Sequence, residues 1–100
     1  MTSDVSRYKK APEIDTNIFA HIQYNKKIID ARILNLNCWG ATIYMDDKLP
    51  TNEPFIIRFV YMLDYVLHAK IICKLSEHEY RIEFIFIDWH QRETLRRDIK

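Results

Sequence analysis

The stretch Asn35-Leu36-Asn37-Cys38-Trp39-Gly40 combines the residue types best suited to hold a small polar ligand. Each asparagine amide can donate and accept hydrogen bonds, either with a ligand or with the backbone of its own turn. Trp39 offers a flat apolar face and one N–H donor. Gly40 is the only glycine in the chain, which indicates a backbone position with positive φ or a close approach. The stretch therefore predicts either a ligand-binding turn or a bulged strand connection capped by asparagine.

A second candidate segment, Arg7-Tyr8-Lys9-Lys10, places three cations within four residues. The planar fork of Arg7 matches a phosphate, or the O6/N7 edge of guanine, with two hydrogen bonds. Lys9 and Lys10 add positive charge. Acidic residues flank the segment, so a solvated basic arm is the alternative interpretation. Residues 1–17 lack periodicity and contain a proline, and we predict that they form a flexible arm able to neutralise an anionic ligand.

The other chemistry-bearing residues predict neither an enzyme nor a metal site. The four histidines are scattered, and Cys38 and Cys73 form no CxxC pair, which favours two reduced thiols. Asp46 and Asp47 are adjacent, but carboxylates in a loop are usually solvated. No serine lies in a strand-to-helix elbow. We therefore expect no catalytic residues, no metal and no cofactor.

Length, charge and glycine content narrow the function classes further. One hundred residues allow a single domain. Fifteen basic and fourteen acidic residues give a net charge of +1, which argues against DNA binding by bulk electrostatics. A lone glycine excludes a P-loop and a dinucleotide-binding fingerprint. The first ten residues contain no apolar signal region, and charges interrupt the apolar third, so we expect neither a signal peptide nor membrane insertion.

Apolar residues alternate with period two from Ile18 onwards, which predicts six half-buried strands. The alternation breaks at Asn35, where we predict a bulge. Asn25-Lys26 is a candidate hairpin turn, and Asp88 is a candidate cap for a C-terminal helix. A flat sheet this small would expose its edges, so closure is favoured. The predicted fold is mostly β: a six-stranded antiparallel β-barrel over residues 18–100 with a C-terminal α-helix. The predicted strands cover residues 18–24, 27–36, 41–45, 55–61, 65–75 and 80–86.

The order of these segments resembles the PilZ domain family, a six-stranded antiparallel barrel with a C-terminal helix. The resemblance spans residues 7–99 and rests on four stretches: KKAP; ARILNLNCWGATIYM; PFIIRFVY with VLHAKIICKL; and YRIEFIFIDWHQRETLRRDI. Members of the family carry an RxxxR motif before the first strand and a [D/N]xSxxG motif after the second. The resemblance implies that these two motifs bind cyclic di-GMP.

The second motif is matched in part. Asn35 fits its first position and Gly40 its last, whereas Asn37 stands where serine is usual. Asn37 keeps a hydrogen-bonding side chain but is larger. Glu83 occupies a position where the family's sixth strand often has a small residue near the ligand. A carboxylate there would repel a phosphate if it faced the site.

The first motif is incomplete. Arg7 has Ala11 four residues later, and if Lys10 takes the second arginine position, Ser6 takes the first. Lysine supplies a point charge without the two-pronged geometry of a guanidinium. Each lost bidentate contact would cost about 1–3 kcal/mol of binding free energy. The departures therefore bear on affinity for the ligand and not on the fold.

The resemblance implies a cytoplasmic bacterial receptor or adaptor for cyclic di-GMP, acting as a monomer or homodimer on an unidentified protein partner. Motility, attachment or exopolysaccharide output would be the controlled process. The arm would fold over a dinucleotide held at Asn35, Asn37 and Gly40. The residues expected to bind are Arg7, Lys9, Lys10, Asn35, Asn37, Trp39 and Gly40.

Two other functions stay open at this point. One is a degenerate PilZ-like protein-interaction module that does not bind cyclic di-GMP. Its contact surface would include Trp39, Tyr44 and the helix around Arg92, Arg96 and Arg97. The other is a small barrel that binds single-stranded RNA by aromatic stacking. The near-neutral charge and an expected lack of aromatics on exposed strand faces weigh against it.

Overall fold

Six antiparallel strands of the computed structural model pair in the closed order β1-β2-β3-β6-β5-β4, and one helix follows them. The structure describes residues 14–60, 66–85 and 88–98. This architecture confirms the predicted fold class. The elements are β1 (Ile14–Tyr24), β2 (Lys27–Leu36), β3 (Gly40–Tyr44), β4 (Phe55–Phe59), β5 (Val66–Lys74), β6 (Glu79–Ile85) and α1 (Trp89–Asp98).

Strict alternation of side chains builds the interior of the barrel. In β2, Ile29, Ala31 and Ile33 are buried, while Asp30 and Arg32 between them are exposed. The same alternation in the other strands fills one continuous apolar core. Burying each large aliphatic or aromatic side chain stabilises the fold by about 1.5–3 kcal/mol. The isoleucine-rich strands suit a pleated, tightly packed interior of this kind.

The hairpin between β1 and β2 has the two-residue turn predicted at Asn25-Lys26. Both residues have positive φ, 49° and 65°, and Tyr24 pairs directly with Lys27. Two consecutive residues in this region form the turn whose twist matches that of antiparallel strands. This turn sets the register of β2 and therefore the position of its far end, where the candidate site lies.

β1 begins at Ile14, four residues before the predicted start at Ile18. Residues 14–17, which the sequence assigned to the arm, pair with the end of β2, and Thr16 Oγ1 donates a hydrogen bond to the carbonyl of Ile33 at 2.7 Å. A register shift between Asp15 and Ile18 interrupts the alternation, which hid this part of the strand. The rest of the predicted arm, with Arg7, Lys9 and Lys10, lies outside the described residues.

Two other expectations about side-chain placement are wrong. Alternation over residues 65–75 predicts Cys73 and Leu75 on the core side of the fifth strand, but both are exposed, because a bulge between Ile71 and Cys73 shifts the register. Phe19 is 51% exposed on a strand face where no aromatic was expected, and Tyr44, expected in a contact surface, is 38% exposed. The bulge predicted near Asn35 is confirmed between Ile33 and Asn35. The predicted strand residues Tyr61, Tyr65 and Phe86 and helix residue Ile99 lie outside the described residues.

Helix α1 is capped at its N-terminus and anchored to the barrel core. Asp88 Oδ1 accepts a hydrogen bond from the backbone N–H of Gln91 at 2.7 Å, and Gln91 Oε1 accepts one from the backbone N–H of Asp88 at 3.3 Å. This reciprocal pair confirms the predicted cap. Leu95 is fully buried in the core cluster. Within the described residues, no helix combines the length and apolarity needed to cross a membrane.

Replacing Leu95 by alanine will test whether α1 is an integral part of the core. Because Leu95 is fully buried, Leu95→Ala should lower the free energy of unfolding by about 2–5 kcal/mol. Urea denaturation followed by circular dichroism measures this loss. The exposed Arg97 on the same helix provides the control, since Arg97→Ala should change stability by less than about 0.5 kcal/mol. Equal effects of the two substitutions would contradict the packing of the helix.

Candidate functional site

The β2–β3 corner, residues 35–40, is held in shape by the side chain of Asn37. Asn37 Oδ1 accepts hydrogen bonds from the backbone N–H groups of Trp39 at 2.8 Å and Gly40 at 3.0 Å. The backbone N–H of Asn37 donates to the carbonyl of Gly40 at 3.0 Å. The side chain is only 1% exposed. Asn37 Oδ1 thus positions the corner, whereas its buried Nδ2 has no hydrogen-bond partner among the described residues.

Gly40 does not have positive φ, so that explanation for the lone glycine is wrong. The alternative explanation, a close approach, agrees with the geometry. Both the N–H and the carbonyl of Gly40 bond to Asn37, and the residue is buried as the first member of β3. Its register partner in β6 is Glu83. Gly40 therefore contributes compactness to the corner rather than an unusual backbone conformation.

Asn35 presents the corner's unused hydrogen-bond acceptor. It lies opposite Thr42 of β3, whose neighbours Ala41 and Ile43 point into the core, so Asn35 and Thr42 face outward. Asn35 Oδ1 is buried and has no hydrogen-bond partner. A buried acceptor without a partner costs about 1–3 kcal/mol. A donor supplied by a ligand would remove that cost, which makes Asn35 the strongest contact residue of the corner.

Thr42 and Arg81 extend this polar row, although neither was predicted from the sequence as a site residue. Arg81 is the register partner of Thr42, and its Nη1 donates to Thr42 Oγ1 at 3.1 Å. Asn35, Thr42 and Arg81 therefore lie side by side on β2, β3 and β6. Thr42 is the polar residue between two apolar ones in the short strand β3, so alternation places it on the outer face. Pairing β3 with its neighbouring strands would then have brought it beside Asn35 and Arg81.

Trp39 and the helix are joined by Arg92. The guanidinium carbon of Arg92 lies 4.0 Å from the centroid of the Trp39 ring, and Arg92 Nη1 donates to the carbonyl of Cys38 at 2.9 Å. A guanidinium stacked on an indole stabilises by about 0.5–2 kcal/mol. One face of Trp39 is therefore occupied from within the protein. Arg92 fixes α1 against the corner.

Glu83 introduces negative charge beside the corner. Its register partners are Gly40 on β3 and Lys70 on β5, and its neighbours Ile82 and Phe84 point into the core. Glu83 thus lies on the outer face next to Gly40, which has no side chain to cover it. Glu83 Oε1 is 3.9 Å from Lys70 Nζ, so the ion pair offsets part of the charge. An anionic ligand at this point of the corner would meet a carboxylate.

The chain that carries the basic segment enters the barrel at the same corner. Ile14 and Asp15, the first residues of β1, pair with Leu36 and Asn35 at the end of β2. Arg7 precedes Ile14 by seven residues, and a fully extended chain of that length spans at most about 25 Å. Chain connectivity therefore limits how far Arg7, Lys9 and Lys10 can lie from the corner, although these residues lie outside the described part of the chain.

Two histidines, His21 and His78, lie close to exposed carboxylates. His21 Nδ1 lies 3.1 Å from Asp30 Oδ1, and His78 Nδ1 lies 3.6 Å from Asp46 Oδ1. In residues 14–60, 66–85 and 88–98, no three His, Cys, Asp or Glu residues come together in a way that could hold a metal ion.

Substitution of Asn37 will show how much the corner depends on its side chain. Asn37→Ala removes the acceptor of two backbone N–H groups in a buried turn, so we expect a loss of about 2 kcal/mol or more in the free energy of unfolding. Asn37→Ser, which keeps one hydroxyl acceptor, should lose less. Asn17→Ala, at an exposed position of β1, should stay within about 0.5 kcal/mol of the original chain. Urea titrations give all three values.

The two cysteines should differ sharply in reactivity. Cys38 is buried and Cys73 is exposed, and both are free thiols. Burial raises the pKa of the Cys38 thiol, although nearby Arg92 lowers it in part, so reactive thiolate is scarce at neutral pH. With an aromatic disulfide reagent, Cys73 should react fast and Cys38 only after unfolding. The Cys73→Ser variant should lose the fast phase; a fast phase that persists in it would contradict the burial of Cys38.

Comparison with known proteins relates the fold to a solved structure. No family model matches the sequence, and no curated protein matches it. The fold is similar to the crystal structure of the PilZ domain of CeSA from a cellulose-synthesising bacterium, with a TM-score of 0.70 and 20% sequence identity. The match covers 89% of this chain and 95% of that one. The chain is therefore a PilZ-like domain in fold.

Proposed function

We propose that this chain is a non-catalytic receptor for cyclic di-GMP, with its binding site at the β2–β3 corner. The observation that supports the proposal is the pairing of Asp15 with Asn35 at the start of β1. This pairing brings the start of β1, which follows the segment with three cations in the sequence, beside a buried amide oxygen that has no partner among the described residues. A ligand with two phosphates and two guanine bases offers both the anions and the N–H donors that these groups require.

The proposed roles divide between contact and positioning. Asn35 accepts from the N1–H and N2–H edge of a guanine, whereas Arg7, Lys9 and Lys10 pair with the phosphates. Asn37 and Gly40 shape the corner. Trp39, braced by α1, supplies an apolar wall beside the ligand.

In this proposal, ligand binding orders the basic segment over the corner and changes the surface that the domain offers to a protein partner. Such a domain acts as an adaptor without enzymatic activity in the cytoplasm of a bacterium. The partner would belong to a motility, attachment or exopolysaccharide system.

A second candidate function is a PilZ-like interaction module that does not bind the nucleotide. Glu83 favours it, because its carboxylate lies on the outer face beside Gly40, where a phosphate would approach. Asn37 Oδ1 also favours the interaction module, because it already accepts two hydrogen bonds from the backbone of the turn. The contact surface would then be formed by Trp39, the exposed Tyr44 and the helix residues Arg92, Arg96 and Arg97.

Calorimetric titration with cyclic di-GMP separates the two functions. We expect saturable binding with a dissociation constant between about micromolar and millimolar, because the bidentate contacts are incomplete. Asn35→Ala and Arg7→Ala should each weaken binding about tenfold or more, whereas Glu83→Gln should strengthen it by removing a like charge. Binding should also weaken from low to physiological salt.

Two variants serve as matched controls. Gln23→Ala removes an exposed amide and Arg58→Ala an exposed guanidinium, both on the outer face away from the corner. Both should bind like the original chain. Absence of heat at about 1 mM ligand, with the far-ultraviolet spectrum intact, would overturn the receptor proposal and favour the interaction module.

A further inference from the structure

A row of three side chains crosses the outer face of β1, β2 and β3. The register pairs Phe19 with Arg32 and Arg32 with Tyr44, so the three lie side by side on adjacent strands. They point outward because the residues that flank each of them in sequence are buried. Strands are about 4.8 Å apart, so the row spans about 10 Å. We call this row, Phe19, Arg32 and Tyr44, the stacking platform.

The platform presents flat aromatic surface together with positive charge. The side chains of Phe19 and Tyr44 are partly open to solvent, and the guanidinium carbon of Arg32 lies 5.4 Å from the centroid of the Phe19 ring. This contact orients the guanidinium on the surface. His78 extends the aromatic surface beyond Tyr44, with ring centroids 5.4 Å apart. Such a surface is suited to stacking a planar ring.

Two carboxylates line the cavity over the platform, which has a volume of about 150 Å³. Asp30 uses Oδ1 for His21, and Asp46 uses Oδ1 for His78. For each carboxylate, Oδ2 has no partner in the described part of the chain. The cavity therefore brings together hydrogen-bond donors of a guanidinium, acceptors of two carboxylates and the faces of two aromatic rings.

We propose that the stacking platform binds the guanine base of a free nucleotide. Guanine has an acceptor edge, O6 and N7, that matches the donors of Arg32, and a donor edge, N1–H and N2–H, that matches the carboxylate of Asp30 or Asp46. Adenine lacks the N1–H and carries an amine in place of O6, so it cannot form either pair of hydrogen bonds. Hydrogen-bond complementarity, and not the apolar surface alone, thus selects the ligand.

This site is separate from the corner and does not rest on the cyclic di-GMP proposal. Arg32 and Asn35 are three residues apart on β2, about 10 Å in an extended strand. The two sites share no residue. A variant of one can therefore be tested for binding at the other.

Titration with 5′-GMP, followed by backbone amide chemical shifts, tests the proposal. We expect shifts centred on Phe19, Arg32 and Tyr44, and affinity for 5′-GMP about tenfold or more above that for 5′-AMP. Phe19→Ala and Arg32→Ala should each weaken 5′-GMP binding about tenfold, because stacking on an aromatic residue contributes about this much. The double variant Asp30→Asn with Asp46→Asn should remove the preference for 5′-GMP over 5′-AMP.

Matched controls separate the base from other contributions. Ile28→Ala and Arg58→Ala remove an exposed apolar and an exposed cationic side chain away from the platform, and they should not change binding. Asn35→Ala should bind 5′-GMP normally even if it loses cyclic di-GMP. Ribose 5-phosphate, which has no base, should cause no shifts on the platform.

Three outcomes would overturn the proposal. Equal affinity for 5′-GMP and 5′-AMP would contradict the assignment of guanine. Chemical shift changes with ribose 5-phosphate as large as those with 5′-GMP would show that the site contacts only the phosphate. Loss of 5′-GMP binding in Asn35→Ala would place the base at the corner. A guanine-containing RNA hexanucleotide that binds more than about tenfold tighter than 5′-GMP would replace the free nucleotide by single-stranded RNA.

Discussion

The two backbone hydrogen bonds accepted by Asn37 Oδ1 fix the corner on which the candidate site depends. They turn the chain from β2 into β3 within three residues and bring Gly40 into register with β6. The carbonyl of Trp39 then accepts from the backbone N–H of Phe84, which ties the corner to the strand beyond it. If the corner opened, the row of Asn35, Thr42 and Arg81 would lose its alignment, because all three positions follow from this register.

Arg92 extends the same constraint to the helix. Its guanidinium contacts both the Trp39 ring and the carbonyl of Cys38, and Leu95 packs one turn further along α1 in the core. Direct contacts of Arg92 therefore join the corner to the helix. This coupling is compatible with both proposed functions of the corner.

Alternation of apolar residues was sufficient to predict the six strands, while the residue types of Asn25-Lys26 and Asp88 predicted the hairpin turn and the helix cap. It failed where a bulge shifts the register: Ile14 to Asn17 were assigned to the arm, and Cys73 and Leu75 to the core. The sequence pattern marked residues 35–40 as a candidate site, but the hydrogen bonds that distinguish Asn35 from Asn37 are not encoded by spacing. Asn35 and Asn37 are two residues apart and look equivalent in the sequence, whereas one presents an unused acceptor and the other closes the turn.

The order of strands also bears on how the barrel forms. β1, β2 and β3 are consecutive neighbours joined by short connections, whereas β1 and β4 pair residues as distant as Ala20 and Phe59. Pairing β1 with β4 closes the barrel and costs the conformational entropy of the long chain segment between them. The three-stranded meander needs only local contacts. Phe19, Arg32 and Tyr44 all lie on the meander, so the stacking platform can assemble before the barrel has closed, whereas the corner also needs Arg81 of β6 and Arg92 of α1.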